Sequence, residues 1–235
     1  MGYEIGGRAD KFGNRYEYNW AITKLIDLCE EKISSVTLEA IGKDEEGIDI
    51  WTENKDGTDE GQQCKGRCGS DENWKFSTAK EKGIWSNWKK QLDRSYNIHV
   101  SLISPLSFTK LEDTIMRAEN SNGNSNDFIN IQIENSSNGV KNLFKNICKE
   151  MELNLENDYD KDLALNYFQR MHYRQYPDST LKEILMGKIE YLFFGESETI
   201  YNIFLDYIIN GNIYGKQITL PILNHYLKQK GIFYK

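Results

Sequence analysis

An acid, an amide and a lysine stand at strand spacing in two short runs, Gly47-Ile48-Asp49-Ile50-Trp51 and Gly61-Gln62-Gln63-Cys64-Lys65-Gly66-Arg67. In an alternating strand Gln63 and Lys65 share one face, while Gln62 and Cys64 take the other. Asp49 lies between Ile48 and Ile50, so its carboxyl is aimed away from apolar neighbours. The intervening Glu53-Asn54-Lys55-Asp56-Gly57-Thr58 is rich in turn formers and joins the runs as a hairpin. At its lip a carboxylate and an amide oxygen would face an ammonium group. That set suits metal-dependent phosphodiester hydrolysis, with oxygen donors for a hard cation and one positive charge beside the attacked phosphate.

The elements that must position these groups follow from periodicity. Ile22, Leu25, Ile26 and Cys29 recur at helical spacing and predict a helix over 16–32, with Glu17 at the border of its buried stripe. Ser35 to Ile41 alternates as a strand, and the strands bearing Asp49 and Lys65 follow. A Trp-rich helix is expected over 84–94, a fourth strand over 96–105 and a short helix over 111–118. The Asn- and Ser-rich stretch 119–127 reads as a surface loop. Phe128-Ile129-Asn130-Ile131-Gln132-Ile133 alternates like a last strand, and 140–153 reads as a helix.

Beyond Glu156 the pattern is helical over 163–174, 180–194 and 197–210. A final helix follows Thr219, with Pro221 just inside it and Gly231 stopping it. The expectation is an α/β fold, a mixed sheet flanked by helices over 1–155, with a small all-α C-terminal extension over 156–235.

Composition bounds the function. The chain has 235 residues, 39% hydrophobic and 28% charged, with a formal net charge of −7. No run approaches the roughly twenty apolar residues of a membrane span, and the first residues lack the order of a signal peptide, so a cytoplasmic protein without membrane association is expected. Cys29, Cys64, Cys68 and Cys148 lack zinc-type spacing and read as reduced thiols. His99, His172 and His225 are far apart in sequence, which argues against a histidine metal site. The acidic balance opposes broad nucleic-acid affinity, yet 65–94 holds eight basic residues against four acidic ones, interleaved with Trp74, Phe76, Trp85 and Trp88. Such a segment suits a phosphate-facing surface; the competing reading is an amphipathic helix with buried tryptophans and solvated lysines.

Gly6-Gly7, Lys11-x-Gly13-x-x-Tyr16-Glu17, Gly47-Ile48-Asp49 and Gln63-Cys64-Lys65 together resemble the Mrr-like branch of the PD-(D/E)xK nucleases. More narrowly they resemble the N-terminal effector nucleases of bacterial antiviral STAND NTPases of the AVAST group and of related CBASS effectors. Gln63 stands where the wider superfamily has an acid, as is usual in the Mrr-like branch. The tail from Lys216-Gln217-Ile218-Thr219 through Lys230-Gly231-Ile232 looks like the short helical segment that follows the nuclease there. No Gly-x-x-x-x-Gly-Lys-Ser/Thr loop occurs, so the resemblance implies a nuclease module of a longer native chain with an NTPase or sensor region, or one that works alone. The resemblance implies a restriction-endonuclease-like core cutting double-stranded DNA with little sequence preference, active as a dimer or tetramer.

The resemblance, joined to the residue chemistry, gives the candidate catalytic set Glu17, Asp49, Gln63 and Lys65. Asp49, Gln63 and Glu17 would hold Mg²⁺, with Mn²⁺ able to substitute. Candidate phosphate contacts are Lys11, Arg67, Lys75, Lys80, Lys82, Lys89 and Lys90. Each residue has a plainer reading: Asp49 as a turn residue, Lys65 as an edge-strand gatekeeper, Glu17 as a helix-start acid. Glu39 and Glu46 compete with Glu17 as the auxiliary acid. The alternatives are a degenerate nuclease fold used for docking or DNA sensing, and a sequence-specific restriction endonuclease.

Overall fold

The computed structural model describes residues 15–42, 46–66 and 72–235. Helix α1 (Arg15–Cys29) buries Trp20, Ile22, Leu25 and Ile26, the expected stripe broadened by a tryptophan. The strands are β1 (Ile33–Leu38), β2 (Ile50–Asn54), β3 (Asp59–Cys64), β4 (Ile98–Ser104), β5 (Met171–Gln175) and β6 (Gln217–Thr219). They form one sheet in the order β5-β4-β3-β2-β1-β6. β1, β2 and β3 are antiparallel neighbours, β6 is antiparallel to β1, and β3, β4 and β5 run parallel. The expected α/β architecture, a mixed sheet with flanking helices, is what the chain adopts.

The remaining helices are α2 (Phe76–Glu81), α3 (Ile84–Leu92), α4 (Thr109–Glu119), α5 (Asn138–Glu150), α6 (Asp158–Arg170), α7 (Asp178–Leu192), α8 (Ser197–Asn210) and α9 (Leu220–Gln229). One sheet face, with Ile50, Cys64 and Ile103, packs on α1, α7, α8 and α9. The other, with Val100 and Leu102, packs on α2 to α6. Lys188 of α7 reaches Asp27 of α1 at 2.8 Å and Glu30 at 3.0 Å, and Tyr201 of α8 donates to Asn19 of α1 at 2.9 Å. The sheet therefore lies between two helical layers.

Three local expectations give way. Residues 128–133 are not a strand but part of a π-helical turn, Asp127–Ile133. Asn124 Oδ1 accepts the Asp127 N–H at 2.9 Å and so starts a helical turn. Phe128 packs edge-on against Phe144, while Ile131, which alternation would bury, is exposed. The expected helix over 163–174 ends at Arg170, and its last residues become β5. The C-terminal segment is consequently not all-helical: it supplies β5 at one edge of the sheet and β6 at the other.

Arg170 explains the helix-to-strand switch. It is 5% exposed, and its guanidinium donates to the carbonyls of Leu92, Ser95 and Ile98 at 3.2, 2.7 and 3.0 Å. One cation thus satisfies the backbone where α3 turns into β4. Arg170→Met, which keeps much of the apolar stem, is expected to destabilise the fold by on the order of 3 kcal/mol, because buried carbonyls lose a charged donor. A urea midpoint equal to that of the unsubstituted chain would show that water replaces the guanidinium without loss.

Candidate active site

β2 and β3 deliver the catalytic candidates to one end of the sheet. Ile50 lies opposite Gln62, and the Asp49 N–H donates to the Gln62 carbonyl at 3.0 Å, which brings Asp49 beside the end of β3. Its carboxylate Oδ2 accepts the Cys64 N–H at 2.7 Å and Lys65 Nζ at 3.1 Å. Both side chains remain partly open, Asp49 21% and Lys65 26% exposed. A carboxylate thus stands in the ladder where the β2 backbone peels away. Gly47 permits the turn that carries Asp49. It has φ of +69°, and a Cβ there would lie 2.0 Å from Asn87 Nδ2 on α3.

Adjacent glutamines on β3 have opposite fates. Gln62 points towards α1, where its Oε1 accepts Trp20 Nε1 at 2.7 Å and its amide donates to Glu60 at 2.9 Å. Gln63 alternates to the other face. It is 3% exposed, and its Oε1 is buried with no hydrogen-bond partner among the described residues. A buried acceptor left unpaired costs about 1–3 kcal/mol and calls for an explanation such as an ion.

Glu17, in the first turn of α1, is half-buried. With Glu39 and Asp49 it lines a void of about 10 Å³, closed by Tyr18 and Tyr214. That is roughly the space one water requires. Burial pushes the Tyr214 hydroxyl upward, and Glu39 and Glu17 add to the rise. Glu39 itself sits in left-handed backbone, φ +46°, and its N–H donates to the Asp49 carbonyl at 2.9 Å. Burial likewise raises the Cys64 thiol, with Asp49 and Glu17 reinforcing and Lys65 and Lys24 opposing. Two carboxylates and two ammonium groups thus act on the thiol at the end of β3.

Gln63 does not line the void, so Glu17 and Gln63 flank Asp49 from opposite sheet faces. Among the described residues no cluster of three or more His, Cys, Asp or Glu has metal-holding geometry. The Asp49 carboxylate and the Gln63 amide oxygen are donors of the type a hard divalent ion takes, while Glu17 reaches Asp49 only from the other side, across a water-sized gap. Glu46, the other competing acid, is engaged by Lys90 at 2.7 Å. Tyr16 is buried, with burial raising its hydroxyl, and belongs to the core.

The basic segment divides. Trp74, Trp85 and Trp88 are buried, so they build the core and are not a stacking surface. Lys80 pairs with Glu150 at 2.7 Å, Lys89 with Asp93 at 2.8 Å and Lys90 with Glu46 at 2.7 Å. Lys75 and Lys82 are exposed. Lys11, Arg67, Cys68 and the motif glycines Gly6, Gly7 and Gly13 lie outside the described residues.

Sequence spacing missed a second polar cluster. Glu60 is 6% exposed and accepts Arg174 at 2.7 Å as well as the Ser101 hydroxyl. Beside it His99 Nδ1 meets His172 Nε2 at 3.0 Å, the rings stacked 5.2 Å apart. The pairing exists because β4 and β5 are neighbours; with β5 read as helix, nothing in the sequence joined them. The only local signal was the polar alternation Glu60, Gln62 on a strand.

Burial lowers the His172 pKa to about 4, with Arg174 and His99 adding to the fall and Glu60 opposing it. Its usual value is 6.5, so the unfolded chain takes up a proton that the folded one refuses. Stability present above pH 6.5 is lost as pH falls towards about 4. The expected loss is on the order of 3 kcal/mol at most. Urea melts between these limits should show it, and His172→Gln should flatten the profile; an unchanged slope in that variant would place the dependence elsewhere.

No protein-family model and no curated protein matches the chain. Solved structures do match in fold. The Cap4 SAVED/CARF-domain containing receptor of Moraxella osloensis aligns with a TM-score of 0.50 and 13% identity, over 93% of this chain and 48% of that one. The corresponding receptor of Acinetobacter baumannii, solved with the cyclic trinucleotide 3'3'3'-cAAA, aligns with a TM-score of 0.50 and 13% identity, over 93% and 45%. The chain spans about half the length of these receptors, and the likeness is one of fold. Among the described residues no helix is long and apolar enough to cross a membrane.

Proposed function

We propose that the chain is a Mg²⁺-dependent DNA endonuclease, an effector module of bacterial antiphage defence that hydrolyses double-stranded DNA with little sequence preference. The observation that carries this reading is the buried Gln63 Oε1, without a partner among the described residues, on the strand that also presents Lys65 to Asp49. The Mrr-like motif resemblance supplies the substrate class. The fold likeness to half of two Cap4 receptors is compatible with a module of a larger two-part protein.

The chemistry is charge neutralisation and aim. A bound divalent ion would supply Lewis acidity at the phosphoryl oxygen and orient a water. Asp49 keeps Oδ2 on Lys65 and the Cys64 N–H, which fixes the lysine and leaves Oδ1 for the ion. Gln63 would offer such an ion a neutral oxygen, which would leave most of its charge to act on a DNA phosphate. The Lys65 ammonium stabilises the charge that develops as water oxygen bonds to phosphorus and the bond to the leaving oxygen breaks. Glu17 and Glu39 face the water-sized void behind Asp49 and can hold a water there.

The net charge of −7 implies weak DNA affinity for one copy and gain on clustering. The test is supercoiled plasmid incubated with the chain at low and high concentration, with Mg²⁺, Mn²⁺ or a chelator, beside Lys65→Ala. Ion-dependent smearing that rises steeply with concentration and disappears in Lys65→Ala is expected. A discrete fragment ladder would indicate a restriction enzyme instead, and no cleavage even by copies fused to an oligomeriser would indicate a docking module.

A further inference from the structure

A cleft of about 480 Å³ opens beside the end of the sheet, between the loop before α2, the start of α4 and the first turns of α5. Its size is within the roughly 300–1,000 Å³ of ligand sites, but it is a groove: Asn73, Lys75, Thr109, Lys110, Asn142 and Asn146 along it are all exposed. Two lysines line it and, among the described residues, no carboxylate does, in a chain of formal net charge −7. Lys110 has no ion pair among the described residues, and its chain lies over Gly139, where a Cβ would come within 2.9 Å of Lys110 Cε. Asn142 and Asn146, one turn apart on α5, present amides on the same side. No side chain caps the start of α4, so its first N–H groups add to the positive field without defining the site.

The cleft is stitched to the candidate active site. Trp74, in its wall, donates from Nε1 to Ser104 Oγ at 2.9 Å, and that hydroxyl donates to the Lys65 carbonyl at 2.9 Å. The Lys65 N–H in turn donates to the Ile103 carbonyl at 2.9 Å. The groove therefore begins one side chain away from the backbone of the proposed phosphate-facing lysine.

We infer that this groove seats the DNA backbone next to the cut phosphate, with Lys110 and Lys75 on phosphate oxygens and Asn142 and Asn146 as neutral hydrogen-bonding contacts. The inference rests on the nuclease reading for its substrate class, while its test does not use cleavage. In an Asp49→Asn background without divalent ions, binding of a labelled duplex is followed by fluorescence anisotropy from about 50 to 200 mM salt. Lys110→Gln is expected to lower the slope of log affinity against log salt by about 0.9, and Lys75→Gln with Lys110→Gln by about twice that. Asn142→Ala with Asn146→Ala should weaken binding and leave the slope unchanged. Lys228→Gln, on α9 across the sheet, should change neither.

A Lys110→Gln slope equal to that of its parent, or a parent that binds no duplex at the lowest salt, overturns the groove assignment. Loss of slope together with a wild type that cuts nothing would leave the groove and remove the nuclease. Cleavage by the wild type with an unchanged slope does the reverse.

Discussion

Asp49→Asn is expected to lower the rate of ion-dependent DNA cleavage by about 10²–10³-fold, the usual cost of removing one group that stabilises transition-state charge. Asparagine is the informative replacement because Asp49 has a second task. Its Oδ2 accepts the Cys64 N–H at 2.7 Å, in the place where β2 no longer supplies a carbonyl. Alanine would leave that N–H unpaired and cost about 1–3 kcal/mol in addition to any chemistry. Asparagine keeps an acceptor oxygen and removes only the charge that holds Lys65 and would hold the proposed ion. Thermal melts of the two variants separate these effects, with Asp49→Ala lower and Asp49→Asn near the wild type. If Asp49→Asn cleaves at the wild-type rate, the carboxylate is a ladder cap and the hydrolytic reading loses its anchor.

The parts legible in the sequence are those set by local rules. Period-two alternation placed Gln63 and Lys65 on one face, and the turn between the runs paired β2 with β3, which is why Asp49 meets Lys65. Helical spacing gave α1 and the tail helices, with Ser197–Asn210 as expected. The failures are tertiary. Phe128-Ile129-Asn130-Ile131 alternates, but the segment turns helically and Phe128 packs against Phe144 and Phe168. Residues 171–175 look helical until Arg170 is spent on the carbonyls of Leu92, Ser95 and Ile98, which frees the chain to join the edge of β4. The histidine pair and the groove of Lys110, Asn142 and Asn146 assemble from segments distant in sequence, and no spacing rule connects them. Nor could spacing distinguish the two glutamines. Only the Trp20 N–H that reaches Gln62, and the lack of any donor to Gln63 Oε1 among the described residues, separate a structural amide from a candidate ligand.

That distinction yields the sharpest expectation at the site. Gln63→Met should make the protein more stable and far less active. The side chains are of similar length, and methionine removes a buried oxygen that has no partner among the described residues, so relief of about 1–2 kcal/mol is expected in chelator. For a chain of this size that raises the melting temperature by about 2–8 °C. The same change deletes the neutral ligand, and cleavage should fall by about 10²-fold or more. A stabilising substitution that abolishes activity marks a residue kept for function at a cost in stability.

Gln63→Glu completes the comparison. Without an ion it buries a second carboxylate beside Asp49, which desolvation and like charge both disfavour, so the melting temperature should drop. Mn²⁺ should then raise it more than in the wild type, because a carboxylate binds a divalent ion more strongly than an amide does. The readout is a melting temperature and needs no cleavage. Equal Mn²⁺ shifts in wild type, Gln63→Met and Gln63→Glu, with cleavage unaffected, would mean that the buried amide touches no ion.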